Sequence, residues 1–143
     1  MKIREFKPED AMTLKDDLIE AAWNGELTLE HFTQIKEPAF TAVHCGQIIA
    51  CGGVMVRGKE GIAWALFANS MSLTTALDGA IIVRDTLNQI IREHHLDRVY
   101  STVREAFHKG RRYLHFLGFE EVGPMESNQR DGAETLMCVK EAA

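Results

Sequence analysis

A single α/β domain, with a mixed sheet of six or seven strands and about four helices, is what this sequence predicts. Three observations carry that prediction. Residues 40–67 hold three strand-like runs separated by glycine turns, which reads as an antiparallel meander. Residues 73–95 place apolar side chains at helical spacing over an unusually long stretch. That helix joins two strand signals, Ile62–Phe67 and Arg98–Arg104, and so long a crossover connects parallel neighbours. At 143 residues the chain suffices for one core and is short for two, so residues 1–143 are read as one domain.

Taken in order, residues 2–6 alternate like a short strand. Lys7-Pro8-Glu9-Asp10 opens a helix, with Pro in the first turn and acids at the positive dipole end; its apolar face runs through Leu14 and Leu18 to Trp23, and Gly25 stops it. Thr28 caps a second helix over Leu27 to Lys36. The meander strands are Phe40–His44, Ile48–Arg57 and Ile62–Phe67. Gly52 and Gly53, inside the middle one, mark either a bulge or a close backbone approach. The long helix carries Leu73, Leu77, Ile81, Leu87 and Ile90 among its apolar positions. Ile81, Leu87, Ile90, Leu117 and Phe119 are expected in the core. A short helix over His108 to Leu117 ends at Gly118, suited to a left-handed cap. Phe119–Val122 and Thr135–Val139 close the sheet around a turn at Arg130-Asp131-Gly132.

Composition narrows the function classes. A net charge of −5 opposes nonspecific attraction to nucleic acid or an anionic membrane. No signal peptide and no apolar run of transmembrane length is present in the sequence, so a soluble cytoplasmic protein is expected. Cys45, Cys51 and Cys138 lack CxxC spacing and sit in apolar, strand-like contexts; they read as buried thiols, with no disulfide framework or metal site.

The element order, together with Arg111-Arg112-Tyr113-Leu114-His115-Phe116-Leu117-Gly118-Phe119, resembles the GCN5-related N-acetyltransferase (GNAT) superfamily over essentially the whole chain. With Ala63-Trp64-Ala65-Leu66 it also resembles small GNAT-like proteins of phages and prophages, which implies a virion-associated location if the chain is phage-encoded. The resemblance implies that the fourth and fifth strands splay apart and admit acetyl-coenzyme A, whose pantetheine pairs with the fourth-strand backbone at Leu66, Phe67, Ala68 and Asn69. A pyrophosphate loop is then expected before the long helix. Asn69-Ser70-Met71-Ser72-Leu73-Thr74-Thr75-Ala76 lacks the family's glycine pair and its leading basic residue. Phosphate binding would fall to helix-terminal N–H groups, to the hydroxyls of Ser72, Thr74 and Thr75, and to Lys109, Arg111 or Arg112; the alternative is that the hydroxyls only begin a helix.

The family's usual acid, a tyrosine four residues before the glycine, is Leu114 here. Tyr113 lies about 100° around the helix from it and is either a displaced acid or a packing residue. His108 and Glu60 are candidate bases by location, since the attacking amine must lose a proton. His108 has helix flanking as its alternative role, and Trp64 reads as a core residue. Two functional readings stand. One is an acetyl-coenzyme A-dependent N-acetyltransferase acting on an unidentified amine. The other is a non-catalytic GNAT-derived module, phage- or virion-associated, that binds a protein partner.

Overall fold

The computed structural model describes residues 1–14, 29–35, 38–68, 72–125 and 135–142. The expected continuation of the first helix to residue 24, Asn69, and the turn at residues 130–132 lie outside the described residues. The elements are β1 (Lys2–Glu5), α1 (Pro8–Leu14), α2 (Leu29–Thr33), β2 (Ala39–His44), β3 (Gln47–Arg57), β4 (Glu60–Phe67), α3 (Leu73–Glu93), β5 (Arg98–Arg104), α4 (His108–Leu117), β6 (Glu120–Met125) and β7 (Thr135–Glu141). They form one seven-stranded sheet in the order β1-β2-β3-β4-β5-β7-β6. Among the described residues β4 and β5 are the one parallel pair, the pair that the long crossover helix demands.

Local chemistry explains the elements. Lys7 precedes Pro8, and the Asp10 carboxylate reaches back to accept from the Lys7 N–H at 2.9 Å, the second half of a capping box. The β2–β3 turn is Cys45-Gly46, with φ of 51° and 76°; a two-residue hairpin loop of this hand needs positive φ at both positions. Cys45 is therefore exposed at a turn, which corrects the expectation that all three thiols are buried. Cys51 is buried as expected, and desolvation, with the Asp10 charge adding to it, pushes its thiol up to about 12.

Of the two explanations for the glycine pair in β3, close approach is the right one. Pairing between β3 and β4 runs without interruption, and the bulge in β3 lies at Ile49, where Ala42 pairs with Ala50 and Val43 with Ile48, while Gly52 and Gly53 pair regularly with Phe40 and Ala39. A Cβ on Gly52 would stand 2.6 Å from the Trp64 carbonyl oxygen, and one on Gly53 would collide with the Pro38 carbonyl.

Helices α1 and α2 cover one face of the sheet, where Ala11, Leu14 and Phe32 pack on Cys51, Leu66 and Ala68. Helices α3 and α4 cover the other, where Leu87, Ile90, Ile91 and Leu117 pack on Val54, Val99 and Val103. Leu87, Ile90, Leu117 and Phe119 are buried as expected, but Ile81 is 46% exposed. The physical reason is angular: Ala80, Leu87 and Ile90 turn to the sheet, while Leu73, Leu77 and Ile81 form a neighbouring stripe that faces outward. Among the described residues no helix is long and apolar enough to cross a membrane.

Candidate functional site

Strands β4 and β5 pair at only three positions, Glu60 with Arg98, Gly61 with Val99 and Ile62 with Tyr100. Beyond Ile62 they diverge, while β4 continues to Phe67 and β5 to Arg104. At the base of the divergence the Ser101 hydroxyl donates to the Ala63 carbonyl across 3.5 Å. On the other side of β4, the Ala68 N–H donates to the Ile49 carbonyl at 2.9 Å. Successive residues of a strand direct their backbone groups to opposite edges. Ala63, Ala65 and Phe67 therefore turn theirs toward the gap, and Leu66 and Ala68 turn theirs toward β3. This corrects the expected contiguous edge: of Leu66, Phe67 and Ala68 only Phe67 presents its backbone to the gap, and the side chains of Leu66 and Ala68 are buried against α1 and α2.

The divergence opens into a cavity of about 370 Å3 that reaches both faces of the sheet. On the α3/α4 face it is lined by Phe67, Tyr113 and Leu114. The Tyr113 and Phe67 rings meet edge to face at 5.0 Å. The Tyr113 hydroxyl is buried with no hydrogen-bond partner among the described residues, and burial pushes its pKa well above the ordinary tyrosine value. On the α1/α2 face the lining includes Trp64, Thr102, Arg104 and Thr135. Two further buried polar atoms with no partner among the described residues, the Trp64 indole nitrogen and the Thr135 hydroxyl, belong to this lining, and Thr135 is 4% exposed. Buried polar groups are nearly always satisfied, so three orphaned atoms around one opening point to a ligand. Trp64 also packs in the core as expected, its ring 5.4 Å from Phe6 and 6.0 Å from Phe32.

The start of α3 is built by the hydroxyls expected there. Ser72 is the N-cap and its Oγ accepts from the Thr75 N–H at 3.2 Å, while it donates to the Thr75 hydroxyl at 2.9 Å. Both hydroxyls are thus engaged in capping, and Thr74 is exposed beside them. The N–H groups of Leu73 and Thr74 belong to the first turn and have no carbonyl four residues back within the helix.

The remaining candidates lie elsewhere. Glu60 is the first residue of β4, at the paired end of the strand and roughly 20 Å along it from Phe67, so the structure does not bring it to the opening. His108 begins α4 and lines a separate hollow with Arg111, Arg112, His115 and Glu121. Arg111 is committed there: its guanidinium donates to Glu121 at 2.7 and 3.0 Å and to the Glu105 carbonyl at 3.1 Å. Arg111, expected as one alternative with Lys109 and Arg112 for meeting a phosphate, is thus held by β6 and the Glu105 carbonyl. Arg112 and Lys109 are exposed on the same helix. Sequence reading missed Ala63, Ala65 and Thr135; the period-two alternation of β4 was the available signal for the first two.

No family model matches the chain, and no curated protein matches it in sequence. Solved structures do match. Ard1 from Thermoplasma volcanium aligns with a TM-score of 0.80 at 14% identity, covering 99% of this chain and 97% of that one. The ribosomal-protein-S18-alanine N-acetyltransferase from Escherichia coli aligns with a TM-score of 0.77 at 14% identity, covering 99% and 94%. AAC(6')-Ib in complex with ribostamycin and coenzyme A aligns with a TM-score of 0.71 at 16% identity, covering 98% and 92%. At such identities the likeness is one of fold, and that fold is the GNAT fold.

Proposed function

We propose that this chain is an N-acetyltransferase that takes acetyl-coenzyme A into the gap between β4 and β5 and passes the acetyl group to an amine entering from the opposite face of the sheet. The observation that carries this reading is the opening through the sheet, with an unpaired β4 edge on one wall and the buried, partnerless Tyr113 hydroxyl beside it. The residues present fit the cofactor. Ala63, Ala65 and Phe67 offer strand-like hydrogen bonds to a pantetheine arm, and the N–H groups of Leu73 and Thr74 suit a phosphate.

Acetyl-coenzyme A supplies an acetyl group activated as a thioester. The backbone N–H of Ala65 or Phe67 polarises a carbonyl held against the strand, a donor that costs no reorganisation during reaction. Tyr113, protonated at neutral pH, gives its proton to the departing sulfur. On the other face, the Trp64 indole N–H and the Thr135 hydroxyl hold the acceptor so that its free amine meets the carbonyl. The acceptor arrives as the free base, and neither His108 nor Glu60 is assigned a part. The non-catalytic reading rests on the missing glycine pair across residues 69–76, on the absence of Lys or Arg between Lys59 and Arg84, and on Leu114 at the position of the family's tyrosine.

Thermal unfolding with and without acetyl-coenzyme A tests the proposal. A hundredfold excess over Kd stabilises the fold by about 2.7 kcal/mol, a rise of several degrees in Tm, and thiol release is expected on adding a suitable amine from a panel of peptides, polyamines and aminoglycosides. Absence of any shift at millimolar ligand would return the chain to the class of non-catalytic modules.

A further inference from the structure

We propose that the thioester site also takes donors whose acyl chain is longer than acetyl, and that this chain lies in the cavity between α3 and the sheet. The inference rests on the reading of the β4–β5 gap as the thioester site and extends the range of acyl donors for it.

The cavity does not end at β4. It is lined also by Ile3 of β1, Ala42 of β2 and Ala50 of β3. These residues are in register across the sheet, Ile3 with Ala42, Ala42 with Ala50, and Ala50 with Phe67, so they form one row on the face under α3. Neighbouring strands stand about 4.8 Å apart, which places β2 roughly 10 Å from β4. A pantetheine arm on the β5 side of β4 reaches none of this space, and an acetyl group fills little of it.

The space exists because the floor is made of small residues. Ala42, Ala50, Gly52, Ala63 and Ala65 line the cavity where larger strand side chains would meet the helix. Gly52 is small because a Cβ there would strike the Trp64 carbonyl, and Ala42 and Ala50 are buried beside Ile49 with Met1, Ile3 and Phe67 packed against them. Protein interiors are ordinarily close-packed. Val83 and Leu87 of α3 and these small sheet residues line one cavity, which leaves a slot with room for an unbranched aliphatic chain and opens where Phe67 and Tyr113 flank the thioester site. The chemistry is that of acyl transfer. The amine nitrogen bonds to the acyl carbon, and the carbon–sulfur bond breaks with its electron pair on sulfur. The amine proton leaves to water, and sulfur takes the Tyr113 proton, which solvent restores.

Calorimetric titration of the full chain with coenzyme A and its acetyl, butyryl, hexanoyl and octanoyl thioesters tests this. Each buried methylene is worth roughly fourfold in affinity, so after the entropy of ordering the chain hexanoyl-coenzyme A is expected to bind at least about tenfold tighter than acetyl-coenzyme A. Ala50→Leu, which fills the slot, is expected to bring the two affinities together; Ala42→Val serves if that variant unfolds. Equal or weaker binding of the longer thioesters by the parent chain overturns the acyl slot while leaving the thioester site standing. A full hexanoyl preference retained in a folded slot-filled variant overturns it as well. Binding by none of the five ligands removes the thioester site itself and the slot with it.

Discussion

Replacing Asp10 by Ala is expected to destabilise the fold by about 3 kcal/mol. The carboxylate is buried and accepts from the Arg4 guanidinium at 2.7 and 2.8 Å, the Thr41 hydroxyl at 2.7 Å and the Lys7 N–H at 2.9 Å. Its removal unties three elements, because Arg4 belongs to β1, Thr41 to β2 and Lys7 caps α1. The Arg4 share is discounted, since that side chain is 40% exposed and screened by solvent. Most of the cost comes from Thr41, fully buried and left without its acceptor, and from the uncapped helix. Burial pushes the Asp10 pKa up, but the hydrogen bonds from Arg4, Thr41 and Lys7 outweigh it and hold the carboxyl below its ordinary value. The sign for stability follows. A depressed carboxylate contributes fully above its unfolded pKa of about 4 and loses that contribution as pH falls through the folded value. Urea unfolding of the parent and of Asp10→Ala at neutral pH and in acid should converge in acid. A neutral-pH difference below about half a kcal/mol would show that the network contributes nothing net.

Tyr113→Phe is expected to lower turnover by about a hundredfold or more while leaving the free protein as stable as the parent or slightly more so. The two effects separate because the hydroxyl is buried without a partner. In the empty fold such a group is a desolvation cost, and an apolar isostere relieves it; in the reaction it is the proton donor. The raised pKa adds a pH signature. Turnover should climb as the acceptor amine loses its proton, and the phenol should not titrate away below about pH 10, its ordinary value. A variant of full activity would reduce Tyr113 to a packing residue against Phe67. A strongly destabilised one would mean that its hydroxyl has a structural partner.

The elements that sequence reading found are those with local causes. Glycine turns bounded the meander, and the apolar period of residues 73–95 announced α3. What it misjudged depends on long-range register. Periodicity gave α3 two adjacent apolar stripes, and only packing on Val54 and Val99 selects the one with Leu87 and Ile90 over the one with Ile81. A run of four consecutive residues was expected along the β4 edge, but the Ala68–Ile49 hydrogen bond fixes which alternate residues face the gap. Counting back from Gly118 pointed to Leu114 as the position facing the cofactor, whereas Tyr113 and Leu114 both line the cavity. The phase of α4 is set by its seat on Phe67, which no local pattern encodes. Arg111 looked free because Glu121, its partner, is ten residues away on another element.

Backbone hydrogen exchange with and without acetyl-coenzyme A tests the central claim, the thioester site along β4, most directly. Slowed exchange is expected at the amides of Ala65 and Phe67, which face the gap, and at Leu73 and Thr74 in the first turn of α3. Little change is expected at Ala68, already bonded to Ile49, or around the Arg111–Glu121 pair. Protection confined to the α4–β6 hollow, or unchanged exchange along β4 at saturating ligand, would contradict the account.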